Sequence, residues 1–505
     1  MRVPLAEYRP DAADTDISVA TVARNVMVGG SPAGSGGPLF YLPFRALLAL
    51  TTATAAIGTP LGYILCQDAA GDYTLIMAAN DGSVDRIYSY ESGTWTDRSY
   101  TGGYAAADTN SGWHFAQYGD NIIAVSGSSN AVQVGLLSNL SGGFSAIVGN
   151  GSTAPPRARF VKVIGEFVVL TGLADFPTSA QWSGIGDSAE WRIGTDGCDR
   201  QEFPDGGLTT GVTGSEYGLI FQEKSIRRMV FSPGSPYAFS FQRASESLGC
   251  AAPNSITEAD GRHFWLAQGG FWMEYGGQIV PIGEEKVNRT FFADIDTTSI
   301  PHVLGCADPV RPVVYFAYSS LSQSTVTTRD KILAYNYQIG AWTTIETTVS
   351  YICQVAQVAQ SIDAAPLATM ALEDIPYSLD SAAYRGGQPV FGGFTTGYLV
   401  GQFAGDPLEA TIESGSAQIG QPNRAFVRKV APLIDTSGAR VNVATRHTVF
   451  GTETWRTERT PSAKTGYGHF DCSGRFHRVR MRVPAGTSWT KATGFEVDAV
   501  AENGD

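Results

Sequence analysis

Paired carboxylates, a loose set of histidine and cysteine, and two groupings of arginine are the residues of this chain whose types and spacing could do chemistry. Glu284/Glu285 and Asp294/Asp296 are the pairs that a glycosidase would need, one acid and one base or nucleophile across a sugar bond. Adjacent acids on a loop diverge, however, and no orienting partner can be located, so solvated loop acids are expected. His469, Cys472 and His477 offer three candidate metal ligands but no fourth, so no metal site is expected. Gln181–Asp187 followed by Trp191 places two tryptophans and an acid around a tight turn, which suits a sugar platform or aromatic packing within a sheet. The glycine-rich run Gly29–Pro38 lacks the Lys-Ser/Thr ending and following helix of a phosphate cradle. No catalytic residue and no cofactor is expected.

The arginines are the remaining candidates. Arg227-Arg228 is an adjacent basic pair within a β-rich run, and on a strand its members point to opposite faces. Arg478, Arg480 and Arg482 alternate with Val479, Met481 and Val483, which makes a guanidinium row on one face and core on the other. Such a row suits an acidic neighbouring subunit, DNA phosphates or a solvated sheet face. These five arginines are the candidate subunit-interface or DNA-facing residues.

The elements that must position them are short strands. An apolar run after a turn recurs from Gly71, Gly119, Gly165, Gly214, Gly261 and Arg311, and successive starts differ by 48, 46, 49, 47 and 50 residues. A near-constant period of this size, filled with short strands, indicates a β-propeller with about four strands per blade. Tyr88, Tyr90, Gly93, Trp95 and Thr96 match Tyr335, Tyr337, Gly340, Trp342 and Thr343 in register, 247 residues on, or about five periods. The expectation is an all-β chain: a propeller of about six blades over 61–350, preceded by an arm and loop over 1–60. A closing or platform segment spans 351–420, with Ala364–Pro389 loop-like. A smaller, basic, β-sandwich-like domain fills 421–505. The arm either packs on a neighbouring subunit or docks on its own domain.

Composition narrows the function classes. The chain has 505 residues, 58 glycines and 16% charged residues, as a turn-dense packed β protein does. Residues 421–500 hold 13 Lys/Arg against 6 Asp/Glu, whereas residues 1–420 hold 22 against 40. An acidic body argues against gripping DNA, although it suits a passage through which DNA slides. The six cysteines are dispersed and read as buried reduced thiols. The first residues carry no cationic-then-apolar leader, and Leu47–Ile57 is too short to span a bilayer, so a soluble protein made in the cytoplasm, without stable membrane insertion, is expected.

The stretch 157–308, with ARFVKVIGEFVVLTG, QWSGIGDSAEW, FPDGG, GSEYGLIFQEKSIRRMVFSPGSPYAFSFQR, AQGGFWM and PIGEEKVNRTFFADID in that order, resembles the tail-nozzle or packaged-DNA-stabilisation proteins of short-tailed bacteriophages. PLAEYRPD and WHFAQYGDNIIAVSG are similar to the same family. The resemblance implies a structural virion protein of the tail, assembled in the host cytoplasm. It further implies a homo-oligomeric, usually hexameric, ring below the portal and adaptor rings, in contact with other tail proteins. Packaged double-stranded DNA would pass through its lumen without sequence-specific binding and be retained there until ejection. The alternative is a six-bladed glycan-binding or sialidase-like propeller, since Ser89–Trp95 (SYESGTW) is similar to the Asp-box turn, with Glu for Asp and one residue fewer before Trp. A peptide-binding scaffold is a third reading, because one fold hosts many functions.

Overall fold

The computed structural model describes residues 1–31, 37–50, 57–91, 93–108, 110–127, 129–356, 388–419 and 424–502. Most of the loop expected over Ala364–Pro389 and the middle of the Gly29–Pro38 run lie outside these residues.

Seven four-stranded antiparallel units form the propeller, one more than the six expected over 61–350, because the segment from 351 closes the ring as a blade of its own. In the first six the strands follow chain order from the axis outward. The apolar runs detected in the sequence are the second strands. These are flanked by neighbouring blades on both faces, which is why they read as unbroken apolar segments. Phe167–Thr171 and Val313–Tyr318 are buried at every position. The matched Tyr/Trp segments form the third-to-fourth-strand hairpins of the first and sixth blades, with Trp95 opposite Tyr90 and Trp342 opposite Tyr335.

The seventh blade is made from Tyr351–Ala356, Pro389–Phe394 and Val400–Gln402, and its outer strand is Leu48–Ala49 from the amino-terminal region. The blade that ends the series is thus completed by chain that precedes the first. The ring closes where Tyr351–Ala356 packs beside Thr59–Gln67, the innermost strand of the first blade. Glycines let inner strands approach closely: a Cβ on Gly62 would overlap the Trp113 carbonyl oxygen of the next blade.

Beyond the ring, both ends of the chain build a two-layered sandwich. One layer contains Gly468–Gly474, Ala425–Ile434, Ala492–Ala501, Phe40–Pro43 and Val26–Gly29, with Arg2–Pro4 also on Ala492–Ala501. The other continues the sixth blade. From Ala341–Val349 the sheet passes through Glu7–Tyr8 and Val19–Arg24 to Ala410–Ser414, Phe476–Val483, Arg440–Arg446 and Thr454–Trp455. One eleven-stranded sheet therefore joins propeller and sandwich, and the amino-terminal segment is its seam. Val427, Val441, Phe470, Met481 and Phe495 belong to the apolar core that the two layers enclose.

Candidate functional site

The guanidinium row is placed as its alternation requires. Val479, Met481 and Val483 are buried, while Arg478, Arg480 and Arg482 lie on the opposite face. That face meets carboxylates of the same chain. Arg482 Nε and Nη1 lie 2.7 Å from Glu458 and Glu409, and Arg480 Nε lies 2.5 Å from Glu413. Arg478 lies 3.2 Å from Glu453 and 3.5 Å from Asp14, which also pairs with Arg446 at 2.8 Å. Arg480 additionally stacks over Trp455 at 3.8 Å. The Glu458 partner holds the Arg482 guanidinium well above its ordinary pKa. The row thus acts as internal glue that ties the amino-terminal arm to the sandwich.

Arg227 and Arg228 diverge to opposite sides of their strand, Ile226–Phe231. Arg228 Nη2 reaches the fully buried Glu274 at 2.6 Å, and Tyr217 Oη donates to the same carboxylate at 2.9 Å. His263 Nε2 stands 3.9 Å from Glu274, and its Nδ1 lies 3.4 Å from Thr213 Oγ1. Burial pulls the His263 pKa down, against the opposing pull of Glu258 and Glu274. Thr213 in turn donates to Glu258 at 3.5 Å, and Glu258 pairs with Lys162 at 3.3 Å. A polar chain therefore runs from the fourth and fifth blades to the wall of the central cavity.

That cavity, about 720 Å³, lies among the innermost strands. Two contacts span non-adjacent blades around it. Lys162 of the third blade meets Glu258 of the fifth, and Asn254 Nδ2 donates to the Asn110 carbonyl, which leads into the second blade, at 3.2 Å. The axis of one propeller is thus braced by side chains.

Arg227 lies at a second hollow, a cleft of about 690 Å³ between the outer strands of the third and fourth blades. Trp182, Phe203 and Phe239 form its buried floor, with Phe241 edge-on to Phe203 at 5.1 Å and tilted against Trp182 at 5.7 Å. Asp205 binds Arg227 and Arg243 together across one end. Alternation supplies the lining: Phe239, Phe241 and Arg243 share one face of Phe239–Ser245, and Asp199 and Gln201 share one face of Asp199–Glu202. Of the cleft's residues, Trp182 and Arg227 are the ones that the sequence offers as candidates for a sugar platform or an interface, while Phe203, Asp205, Tyr237, Phe239, Phe241 and Arg243 enter it only within the quoted motifs.

The remaining candidates separate. Glu284 and Glu285 are exposed loop residues. Asp294 pairs with Lys331 at 2.8 Å and accepts from Tyr318 Oη at 3.0 Å, whereas Asp296 caps the turn at Thr298. His469 is exposed and Cys472 buried, as three-residue spacing on a strand demands. Among the described residues no group of three or more His, Cys, Asp or Glu is placed to hold a metal ion. All six cysteines are buried free thiols, and burial pushes Cys66, Cys198, Cys250 and Cys306 up to about 12.

No protein-family profile matches the chain, and no curated protein matches it. Solved structures that it is similar to include the periplasmic gluconolactonase PpgL of Pseudomonas aeruginosa, 12% identical over 64% of this chain and 96% of that one, TM-score 0.39. Another is the PQQ-bound aldose sugar dehydrogenase of Streptomyces coelicolor, 15% identical over 52% and 96%, TM-score 0.29. A third is the Aleuria aurantia lectin in complex with Fucα1-6GlcNAc, 14% identical over 51% and 96%, TM-score 0.28. The propeller itself is established by the seven sheets and their closed ring.

Proposed function

We propose that this chain is a structural subunit of a short-tailed bacteriophage tail, a nozzle component that joins copies of itself into a ring, retains packaged DNA and lets it pass at ejection. The observation that carries the reading is the single eleven-stranded sheet running from the sixth blade into the sandwich, with the amino-terminal strands woven into it. It makes the two lobes one stiff body, as a load-bearing ring subunit requires. The segments that resemble the tail-nozzle family lead through consecutive blades of that body, which also supports the reading. On this reading the DNA path runs between protomers, in the lumen of the ring, which agrees with a propeller axis bridged by side chains. The candidate arginines are engaged with carboxylates of their own chain, and with a net charge of −13 the protein lets DNA slide rather than grip it. Portal, adaptor and other tail proteins are its partners, and the virion tail is its location after assembly in the host cytoplasm.

Native mass measurement of the purified protein, alone and with portal–adaptor complexes, tests this. A closed oligomer or a stoichiometric complex is expected. A strict 53.7 kDa monomer that also ignores those complexes would remove the proposal.

A second reading, a glycan-binding propeller, is favoured by one observation: the aromatic-floored cleft between the third and fourth blades. Among the similar structures, the Aleuria lectin is one that holds a saccharide.

A further inference from the structure

The cleft between the third and fourth blades brings aromatic rings and mixed polar groups together in one hollow. Its floor is hydrophobic and rigid, because Trp182, Phe203 and Phe239 are buried and locked to one another and to Phe241 by edge and tilted ring contacts. Its accessible ring surface comes from the half-buried Phe241 and from Tyr237, which is 66% exposed on the Ser232–Ala238 turn. Its rim carries acceptors and donors in close alternation: the carboxylates of Asp199 and Asp205, the amide of Gln201, and the guanidinium groups of Arg227 and Arg243. Asp205 holds both arginines, and Arg227 is further fixed over the Phe203 ring at 4.9 Å, so the polar groups are oriented before any ligand arrives.

We propose that this cleft binds a neutral saccharide of one or two sugar units. A sugar ring has an apolar C–H face, which suits the Phe241 and Tyr237 rings, and a belt of hydroxyls, each both donor and acceptor. A belt of that kind needs mixed partners, and the rim supplies carboxylate, amide and guanidinium within one hollow. The volume of about 690 Å³ lies in the range of small-molecule sites, well above one sugar unit and below a long chain. Charge selects among sugars. Asp199, Glu202 and Asp205 stand around the cleft, and its two arginines are already engaged by Asp205, so a carboxylated sugar meets more repulsion than attraction. This inference rests on the glycan-binding reading and is independent of ring formation, because the cleft lies wholly within one chain.

Saturation-transfer NMR on the full-length protein tests it, with methyl glycosides of glucose, galactose, mannose, fucose and N-acetylglucosamine as probes and a sialoside as the anionic counterpart. At least one neutral glycoside is expected to receive saturation through its ring protons, with Kd on the order of 1 mM or tighter. Tyr237→Ala and Gln201→Ala alter exposed side chains, and each is expected to weaken that binding about tenfold, which corresponds to roughly 1.4 kcal/mol, while the circular dichroism spectrum is unchanged. Three results would overturn the proposal: no transfer to any neutral glycoside, transfer that survives both substitutions, or a sialoside that binds as well as the best neutral probe. Oligomeric state, measured on the same samples, separates this outcome from that of the tail-subunit reading.

Discussion

Replacing Arg228 by methionine probes Glu274, one of the fully buried carboxylates of the propeller. Glu274 has no exposed side-chain surface and receives three hydrogen bonds, from Arg228 Nη2 at 2.6 Å, Tyr217 Oη at 2.9 Å and the Gly277 N–H at 2.9 Å. Methionine keeps most of the apolar stem of Arg228 and removes its charge. Breaking one side of a buried pair typically costs about 3–5 kcal/mol, because the surviving charge stays desolvated. Arg228 is 24% exposed and Glu274 retains two neutral donors, so the lower end, about 3 kcal/mol, is expected. With a urea slope of about 3 kcal/mol per molar, the unfolding midpoint falls by about 1 M. The companion Glu274→Gln costs less, about 1–2 kcal/mol, since the freed guanidinium can turn toward water. In the double variant the two effects are sub-additive by at least about 1 kcal/mol. A midpoint that moves by less than about 0.2 M in Arg228→Met, or strictly additive losses, would show that this network does not hold the fourth and fifth blades together.

Three further perturbations address other joints. Gly401→Val places a Cβ 2.6 Å from the Leu48 carbonyl oxygen, so the strand that completes the seventh blade is expected to detach, at a cost of about 1–3 kcal/mol; hydrogen exchange should accelerate at Leu50, whose N–H donates to Val400, and unchanged protection there would contradict the closure described. Burial holds His477, 1% exposed, at about 4, below the ordinary histidine value, so the unfolded chain binds the proton first. Stability is therefore expected to fall as pH drops from about 6.5 towards 4, by up to roughly 3 kcal/mol, with His477→Phe flattening that slope in pH-dependent urea titrations; an equal slope in both proteins would refute it. Asp14→Ala removes the carboxylate that binds Arg446 and Arg478, and because the surviving Arg446 is only 7% exposed the loss is expected near the lower end of that for a broken buried pair, about 3 kcal/mol. Hydrogen exchange is expected to accelerate in that variant at Ser416, whose N–H donates to the Asp14 carbonyl, and unaltered exchange there would show that the arm is held by its strand pairing alone.

What the sequence disclosed follows from which faces are buried. Second strands such as Val313–Tyr318 lie between two neighbouring blades, so every side chain is apolar and the repeat is visible by eye. Six such runs are legible at intervals of 46–50 residues. The second strand of the seventh blade, Pro389–Phe394, begins 76 residues after Val313 (389 − 313) and is the glycine-rich PVFGGF, so it lies outside that rhythm. Its outer strand comes from Leu48–Ala49, a pairing across more than 350 residues that no local pattern reports. The two-faced strand Phe476–Val483 was readable from alternation alone, but the partners of its arginines were not. Asp14, Glu409, Glu413, Glu453 and Glu458 come from three separate parts of the chain. The cleft was hidden for the same reason: its residues come from strands of two blades and the turn between them, and only their alternation within each strand is local.

Electron microscopy of the purified full-length protein bears most directly on the proposal that this stiff two-lobed body builds a ring. Closed particles with several identical two-lobed subunits around a central hole wide enough for duplex DNA are the predicted result. Single, isolated two-lobed particles at every concentration tested would contradict it.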